Sequence, residues 1–296
     1  MPIINDLEII GGRKTKLRFT VSGYKPLIPL ANAIRRAPYE LIPIYAISDI
    51  IYLEPNGSSA IDEYLEQRIK AIPIWNEKLD EKTLETLSLE LNVSCNSELG
   101  CDVLSSDFKV VGADSLPMHP DHLIVTLKKG QKINISCRLS KGYPEQHERF
   151  QSICGVDYHY PEKAGEEPKK ITLVYRSNGA LSPKTMLLGC IQAIGNEASN
   201  IGKAFKEKNE EKIRVFNTFG QKYEIKLTNT TITIGNLLAQ IIGKQKGVLM
   251  SSCVKIHPLL NFINIVVALE SGTIEEALQG GIEEMVQLMG KLEKEV

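Results

Sequence analysis

Cysteine and histidine are the scarce, chemistry-bearing residues of this chain, with six cysteines and five histidines among 296 residues. His147 lies between Cys137 and Cys154, the residue types of a thiol–imidazole nucleophile pair. No third group that would orient the imidazole can be named, so an enzyme built on these three is the lesser reading. His119 and His122 stand three apart, but Pro117 and Pro120 make their segment a loop. His257, before Pro258, reads as a packed turn residue. The cysteines at 95, 101, 137, 154, 190 and 253 form no C-x-x-C pair, and their spacing points to free thiols rather than a disulfide framework. Cys95 and Cys101 flank a turn and can face each other across a hairpin, yet two thiols do not make a four-ligand site. P-loop, G-x-G-x-x-G, G-x-S-x-G and H-E-x-x-H patterns are absent, and acidic residues are spread rather than clustered. No metal, no cofactor and no catalytic residue is expected.

The stronger candidates are groups that bind. Arg35 and Arg36 follow Asn32, and Arg68 lies near the end of the next expected helix. Either they form a solvated face or they dock, giving bidentate bonds to a partner's carboxylates or main-chain oxygens. Lys plus Arg is 35 and Asp plus Glu 36, a formal net charge of −1. A protein that grips nucleic acid by its phosphates is normally basic, so direct nucleic-acid binding is not expected. Hydrophobic residues at 43% and charged residues at 24% are ordinary globular usage and exclude a disordered or fibrous chain. The N-terminus shows no secretory pattern, and the longest apolar runs, 41–47 and 263–269, fall far short of the ~20 residues of a membrane span. A reducing, soluble compartment is expected, cytoplasm first and nucleus as the alternative.

Alternating strands and striped helices must position these groups. Residues 17–21 alternate and read as a strand; Pro26 and Pro29 then open a helix through Leu30, Ala31, Ala33 and Ile34, limited by Pro38. Residues 42–52 read as a strand and 61–69 as a helix. From about 76 to 168 the texture is β, with strands at 87–93, 101–104, 108–111, 123–127, 133–139 and 156–160. The turn 96–100 is expected to fold the first of these back onto the second. Gly165 to Pro168 marks a boundary before a strand at 171–175. Ser182 and Pro183 open a helix carrying Leu187, Ile191, Ile194, Ala198, Ile201 and Phe205, spaced 4, 3, 4, 3, 4. Residues 203–212 read as its end plus a linker. A strand at 223–227, a helix at 234–242 and a strand at 263–269 follow. Thr273 and Glu276 form a capping box for a last helix with Leu278, Ile282, Met285, Met289, Leu292 and Val296, again spaced 4, 3, 4, 3, 4.

Two stretches repeat one plan. A strand leads into Leu30-Ala31-Asn32-Ala33-Ile34, and another into Ile234-Gly235-Asn236-Leu237-Leu238, and each plan ends in a long striped helix. One such unit cannot bury its helical stripe alone, but two can bury it against each other. The expectation is an intramolecular pseudo-dimer centred on Leu187, Ile191, Ile194, Ile201, Leu237, Leu238, Leu278, Ile282, Met285 and Met289.

The run from Pro29 to Arg36, followed by Glu40-Leu41-Ile42-Pro43-Ile44-Tyr45-Ala46-Ile47, resembles the opening of the α-type subunits of multisubunit RNA polymerases. That family comprises bacterial α and the D-like subunits of archaea and eukaryotes. Residues 66–74 resemble its helix ending in Arg-Ile, residues 141–150 its Lys-Gly…His-Ala-Lys-Trp loop, and residues 177–183 its return into the dimerisation domain. The second half resembles the smaller, L-like subunits of archaea and eukaryotes. Thr233-Ile234-Gly235-Asn236-Leu237-Leu238 is similar to Thr-Leu-Gly-Asn-Leu-Leu, His257-Pro258-Leu259 to His-Pro-Leu, and residues 273–284 to the start of the C-terminal helix. One departure stands out. Many D-like subunits hold zinc or an iron–sulfur cluster on cysteines of the inserted domain, whereas residues 75–87 contain no cysteine.

The resemblance implies an α+β pseudo-dimer of a D-like and an L-like dimerisation domain. The D-like domain would span 1–76 and 168–207, interrupted by a β-rich insert at 77–167, with the L-like domain at 208–296. It implies a non-catalytic assembly platform of a DNA-directed RNA polymerase, contacting the largest and second-largest subunits through Asn32, Arg35, Arg36 and Arg68, together with small polymerase subunits. Such fusions are typical of large cytoplasmic DNA viruses, which implies a virion or viral factory and no homodimer. The rivals are the Cys/His enzyme and a stand-alone interaction module.

Overall fold

Alternating segments become strands and striped segments become helices in the computed structural model, which describes residues 2–11, 15–77, 80–115, 117–160 and 166–296. In chain order the elements are β1 (Ile4–Ile10), β2 (Lys16–Ser22), α1 (Leu27–Glu40), β3 (Ile44–Tyr52), α2 (Asp62–Lys70), α3 (Glu81–Thr86), β4 (Ser88–Ser94), β5 (Cys101–Leu104), β6 (Phe108–Val111), β7 (Leu123–Leu127) and β8 (Lys132–Gly142). Then come β9 (Ile153–His159), β10 (Lys170–Ser177), α4 (Pro183–Lys206), β11 (Ile213–Phe219), β12 (Lys222–Thr228), α5 (Ile232–Ile242), β13 (Val248–Val254), β14 (Phe262–Leu269) and α6 (Ile274–Glu293).

The chain divides into two compact units. Met1–Leu41, Gly155–Arg176 and Pro183–Val296 form one, and Ile42–Cys154 with Ser177–Ser182 the other. The first contains two four-stranded sheets, ordered β1-β2-β10-β9 and β11-β12-β14-β13. Both follow one route: hairpin, helix, edge strand, inner strand, long helix. β1, β2, α1, β9, β10 and α4 trace it once; β11, β12, α5, β13, β14 and α6 trace it again. Residues 42–154 interrupt only the first copy, between its short helix and its edge strand.

The second unit holds a sheet ordered β3-β8-β4-β6 and the pair β5-β7. Its core joins Ile47, Leu65, Ile69, Leu89, Leu91 and Ile135, all fully buried. It begins at Ile42, ahead of the residue 77 expected from texture. The reason is pairing: β3 runs antiparallel along β8 from Ile44 opposite Gly142 to Tyr52 opposite Ile135, and α2 lends Leu65 and Ile69 to that core. Of the boundary expected at 165–168, Gly165 lies outside the described residues.

Three local expectations are corrected. β5 does not fold back on β4; it pairs with β7, and β4 pairs with β6 and β8. Cys95 bonds to Gln131 and Cys101 lies opposite Leu127, at the two ends of the turn between β7 and β8. That brings their Cα atoms to 5.8 Å, and a disulfide joins them in place of the expected free thiols. Nor does Pro38 limit α1, which continues to Glu40. Proline lacks the N–H that would bond to the carbonyl four residues back, here that of Ile34. The buried Tyr175 hydroxyl donates to this same Ile34 oxygen at 2.6 Å, so the helix passes Pro38 with no orphaned acceptor.

Tyr175→Phe keeps the ring, with its edge-on contact to Phe19 at 5.3 Å, and strands the Ile34 carbonyl. It is expected to cost about 1–3 kcal/mol of stability, read as a lower urea midpoint at unchanged slope.

Candidate assembly interfaces

The seam between the two sheets' helices is where the stripes meet. Leu187, Ile191, Ile194 and Ile201 of α4, Leu237 and Leu238 of α5, and Leu278, Ile282, Met285 and Met289 of α6 are all at most 5% exposed. Eight of these follow from heptad spacing and Leu237 and Leu238 from the repeated motif, and all ten are buried on helices that pack on one another. α4 and α6 run antiparallel and close. A Cβ on Gly195 would stand 3.1 Å from Met289 Cβ, and one on Gly202 3.0 Å from Ile282 Cγ2. These glycines, seven apart, are the holes for two knobs seven apart. Gln192 Nε2 extends the series, donating to Glu293 Oε1 at 2.6 Å.

Polar ties surround the seam. Arg36 donates from Nε and Nη2 to Glu40 Oε1 at 3.0 and 2.6 Å, and from Nε to Thr233 Oγ1 at 2.8 Å. Thr233 Oγ1 donates to Glu40 Oε1 at 3.0 Å. The clasp joins the C-terminal end of α1 to the first turn of α5. Tyr24 Oη and Gln245 Nε2 donate to the two oxygens of Glu284 at 2.9 and 2.8 Å. Glu295 Oε2 accepts the N–H groups of Ile3 and Ile4, each at 2.8 Å. Sequence reasoning missed Glu40, Thr233, Tyr24, Glu284 and Glu295. The heptad spacing of Gly195 and Gly202 was a readable signal for the close crossing; isolated acids carried none.

The predicted arginines fall in different settings. Arg36 bonds within the chain, through Nε and Nη2 on the clasp, while its side chain stays 41% exposed. Arg35 Nε and Nη2 donate to Asn32 Oδ1 at 3.1 and 2.7 Å, and its guanidinium carbon lies 5.9 Å from the Tyr158 ring centre. With Ile28, Ala31 and Tyr160 these residues line a groove of about 190 Å³. Ile28 and Tyr158 are more than half exposed there. Arg68 belongs to the other compact unit. It donates to Tyr64 Oη at 2.8 Å and to the Leu123 carbonyl at 2.5 Å.

The Cys/His alternative finds little geometry. Cys137 is fully buried, and burial pushes its thiol up to about 12. Cys154 and His147 line a groove of about 900 Å³ in the second unit, with Glu63, Glu66 and Lys70, but Cys137 does not reach it. His147 Nδ1 accepts the Arg149 N–H at 3.2 Å. His257 is exposed rather than packed, its Nδ1 accepting the Leu259 N–H at 3.2 Å. Among the described residues, no group of three His, Cys, Asp or Glu side chains converges as a metal site, and no helix is long and apolar enough to cross a membrane.

Two family models match the chain. Residues 58–155 match the RNA polymerase Rpb3/RpoA insert domain, and residues 222–295 the RNA polymerase Rpb3/Rpb11 dimerisation domain. Subunit Rpo3 of the DNA-directed RNA polymerase of Methanocaldococcus jannaschii is 31% identical over 193 residues, 64% of this chain and 91% of that protein. Rpo3 of Thermococcus kodakarensis is 29% identical over 49% of this chain and 56% of that protein. RNA polymerase II subunit rpb3 of Dictyostelium discoideum is 26% identical over 52% and 57%. The chain therefore spans little more than half the length of these last two relatives.

Two measurements check this geometry. Brief thiol alkylation of the native, unreduced chain is expected to modify the exposed Cys154 and to spare Cys137 and Cys190, both raised by burial, as well as the bonded Cys95 and Cys101. Glu40→Ala is expected to cost about 1.5–3 kcal/mol by removing the acceptor of a charged hydrogen bond. A double-mutant cycle with Thr233→Val should show coupling.

Proposed function

The chain belongs to the Rpb3/Rpo3 family of DNA-directed RNA polymerase subunits, and from that premise we propose that it is the non-catalytic assembly platform of such an enzyme. The observation that carries the reading is the paired architecture: two copies of one strand–helix route closed on each other along α4 and α6, the second matching a dimerisation domain. Rpb3-type subunits dimerise with an Rpb11-type partner. Here the D-like half, residues 1–41, 155–176 and 183–207, and the L-like half, 208–296, are read as one fused pair around an insert that starts at 42 and runs to 154.

Fusion replaces a bimolecular step with an intramolecular one at roughly millimolar effective concentration. It also removes the need for a homodimer. Such a fusion fits the polymerase of a large cytoplasmic DNA virus, and the chain works wherever its DNA template lies. The platform would present its outer faces to the largest and second-largest subunits and to small subunits. Asn32 and Arg35 sit in an exposed groove of aromatic and aliphatic side chains that suits a protein partner. Arg68 offers a second contact, while Arg36 acts indirectly, by holding α1 against α5.

The test is affinity capture of the tagged chain from its native source, with co-purifying chains weighed by mass spectrometry. Two large chains plus several small ones are expected. Arg35→Ala with Arg68→Ala is expected to weaken capture of a large chain at least tenfold while the variant melts as the parent does. Recovery of the chain alone would overturn the reading.

A further inference from the structure

The internal repeat sets two sites in correspondence. Aligning Asn32 with Asn236 aligns Pro29 with Thr233, Arg36 with Gln240 and Glu40 with Lys244. The clasp of Arg36 and Glu40 on Thr233 closes one end of the α1–α5 crossing. At the other end the corresponding residues, Gln240 and Lys244, face Pro29 across an open groove of about 890 Å³. Pro29 has no hydroxyl to offer, and the carboxylate supplied by Glu40 in the first site has become a lysine. Among the described lining residues the cations outnumber the acids: Lys25, Lys169 and Lys244 line the groove with Glu167, and Glu284 stands behind Tyr24. Glu167 lies 3.7 Å from Lys25 with both side chains 85% exposed, a pairing worth little in water. Lys244 lies over the Tyr24 ring, 4.3 Å from its centre. Burial draws Lys244 below the ordinary lysine range, Glu284 opposes this, and Lys25 adds to it.

The remaining wall is apolar. Pro26, Leu27, Ile28, Pro29 and Pro168 line it, with Ile28 55% exposed. Aliphatic and proline surfaces offer nothing to a phosphodiester chain. The Tyr24 ring is covered by Lys244 and its hydroxyl donates to Glu284, so it is no stacking platform for a base. Lysines beside such a wall complement a peptide that mixes acidic and apolar residues.

We propose that the groove bounded by Tyr24, Lys25, Pro29, Gln240 and Lys244 receives an acidic, partly apolar segment of another polymerase subunit, one carboxylate of which takes the place that Glu40 holds in the matching clasp. The inference rests on the platform reading above and extends it with a second, charge-selected contact. Its test uses the complex captured through the tagged chain. Zero-length carbodiimide coupling, followed by peptide mass spectrometry, is expected to join Lys25 or Lys244 to an aspartate or glutamate of another chain. Lysine acetylation of the assembled complex is expected to spare Lys244 at least fivefold relative to the isolated chain. Lys25→Glu with Lys244→Glu, checked for parental melting, is expected to lose that link and to lower recovery of the other chain at least tenfold, while Lys25→Arg with Lys244→Arg restores the recovery but not the link, since a guanidinium does not couple to an activated carboxylate. If the complex is intact but both lysines acetylate as in the isolated chain, or couple only to Glu167 and Glu284, the groove proposal falls and the platform reading stands. Protection that disappears on nuclease treatment also overturns it. If no polymerase chains are recovered, both fall together.

Discussion

A helix with an apolar stripe along its whole length cannot stay in water, and α4 is such a helix. Met186, Leu187, Cys190, Ile191, Ile194, Ala198 and Ile201 are all fully buried, and each large side chain among them contributes about 1.5–3 kcal/mol when withdrawn from solvent. The cover is α6. Its approach is possible because Gly195 and Gly202 leave room for Met289 and Ile282. Everything in that unit follows from the crossing. It sets two sheets around one helical layer, brings Glu295 to the start of β1, and aligns α1 with α5 so that Arg36 meets Thr233.

Hydrophobic burial sets this arrangement, but backbone accounting decides its details. Pro38 removes one donor from the last turns of α1, and the fully buried Tyr175 hydroxyl meets the carbonyl left over. A buried carbonyl without a partner is costly, so the tyrosine on β10 and the proline on α1 form one solution. The capping box predicted for α6 is the same kind of economy at a helix start, with Thr273 and Glu276 each bonding the other's N–H at 3.3 Å.

Inner strands such as β2, β4 and β12 and the long helices were legible because each carries its full period: the strands alternate, and α4 and α6 keep a heptad. The edge strands β1, β11 and β13 were not. β1 is broken by a register shift between Asn5 and Glu8, with Asp6 at φ 53°; β11 is mostly exposed and follows a charged stretch; β13 carries paired serines and a shift near Val248. An edge strand buries little, so its sequence is weakly constrained. The partner of β5 was illegible for another reason. A turn signal such as 96–100 says that the chain reverses, not which strand it then joins. The candidate site was legible in the same measure. The stripes of α4 and α6 were readable from spacing and Leu237 and Leu238 from the repeated motif, whereas the bonds of Arg36 to Glu40 and Thr233 were not, because those acceptors are set by tertiary structure.

Duplication explains why the two ends of the α1–α5 crossing differ. In a homodimer a clasp at one end must recur at the other, because an isologous interface repeats every contact. Covalent pairing of two unlike halves lifts that requirement. One end is closed by Arg36, Glu40 and Thr233; the other, with Pro29, Gln240 and Lys244 in their places, has lost both the hydroxyl and the carboxylate. An assembly platform has use for this freedom. On the reading proposed above it docks two large subunits that are unlike each other, and a symmetric surface would accept either in either orientation. The broken symmetry lets one end serve the integrity of the chain while the other remains open to a partner chosen by charge.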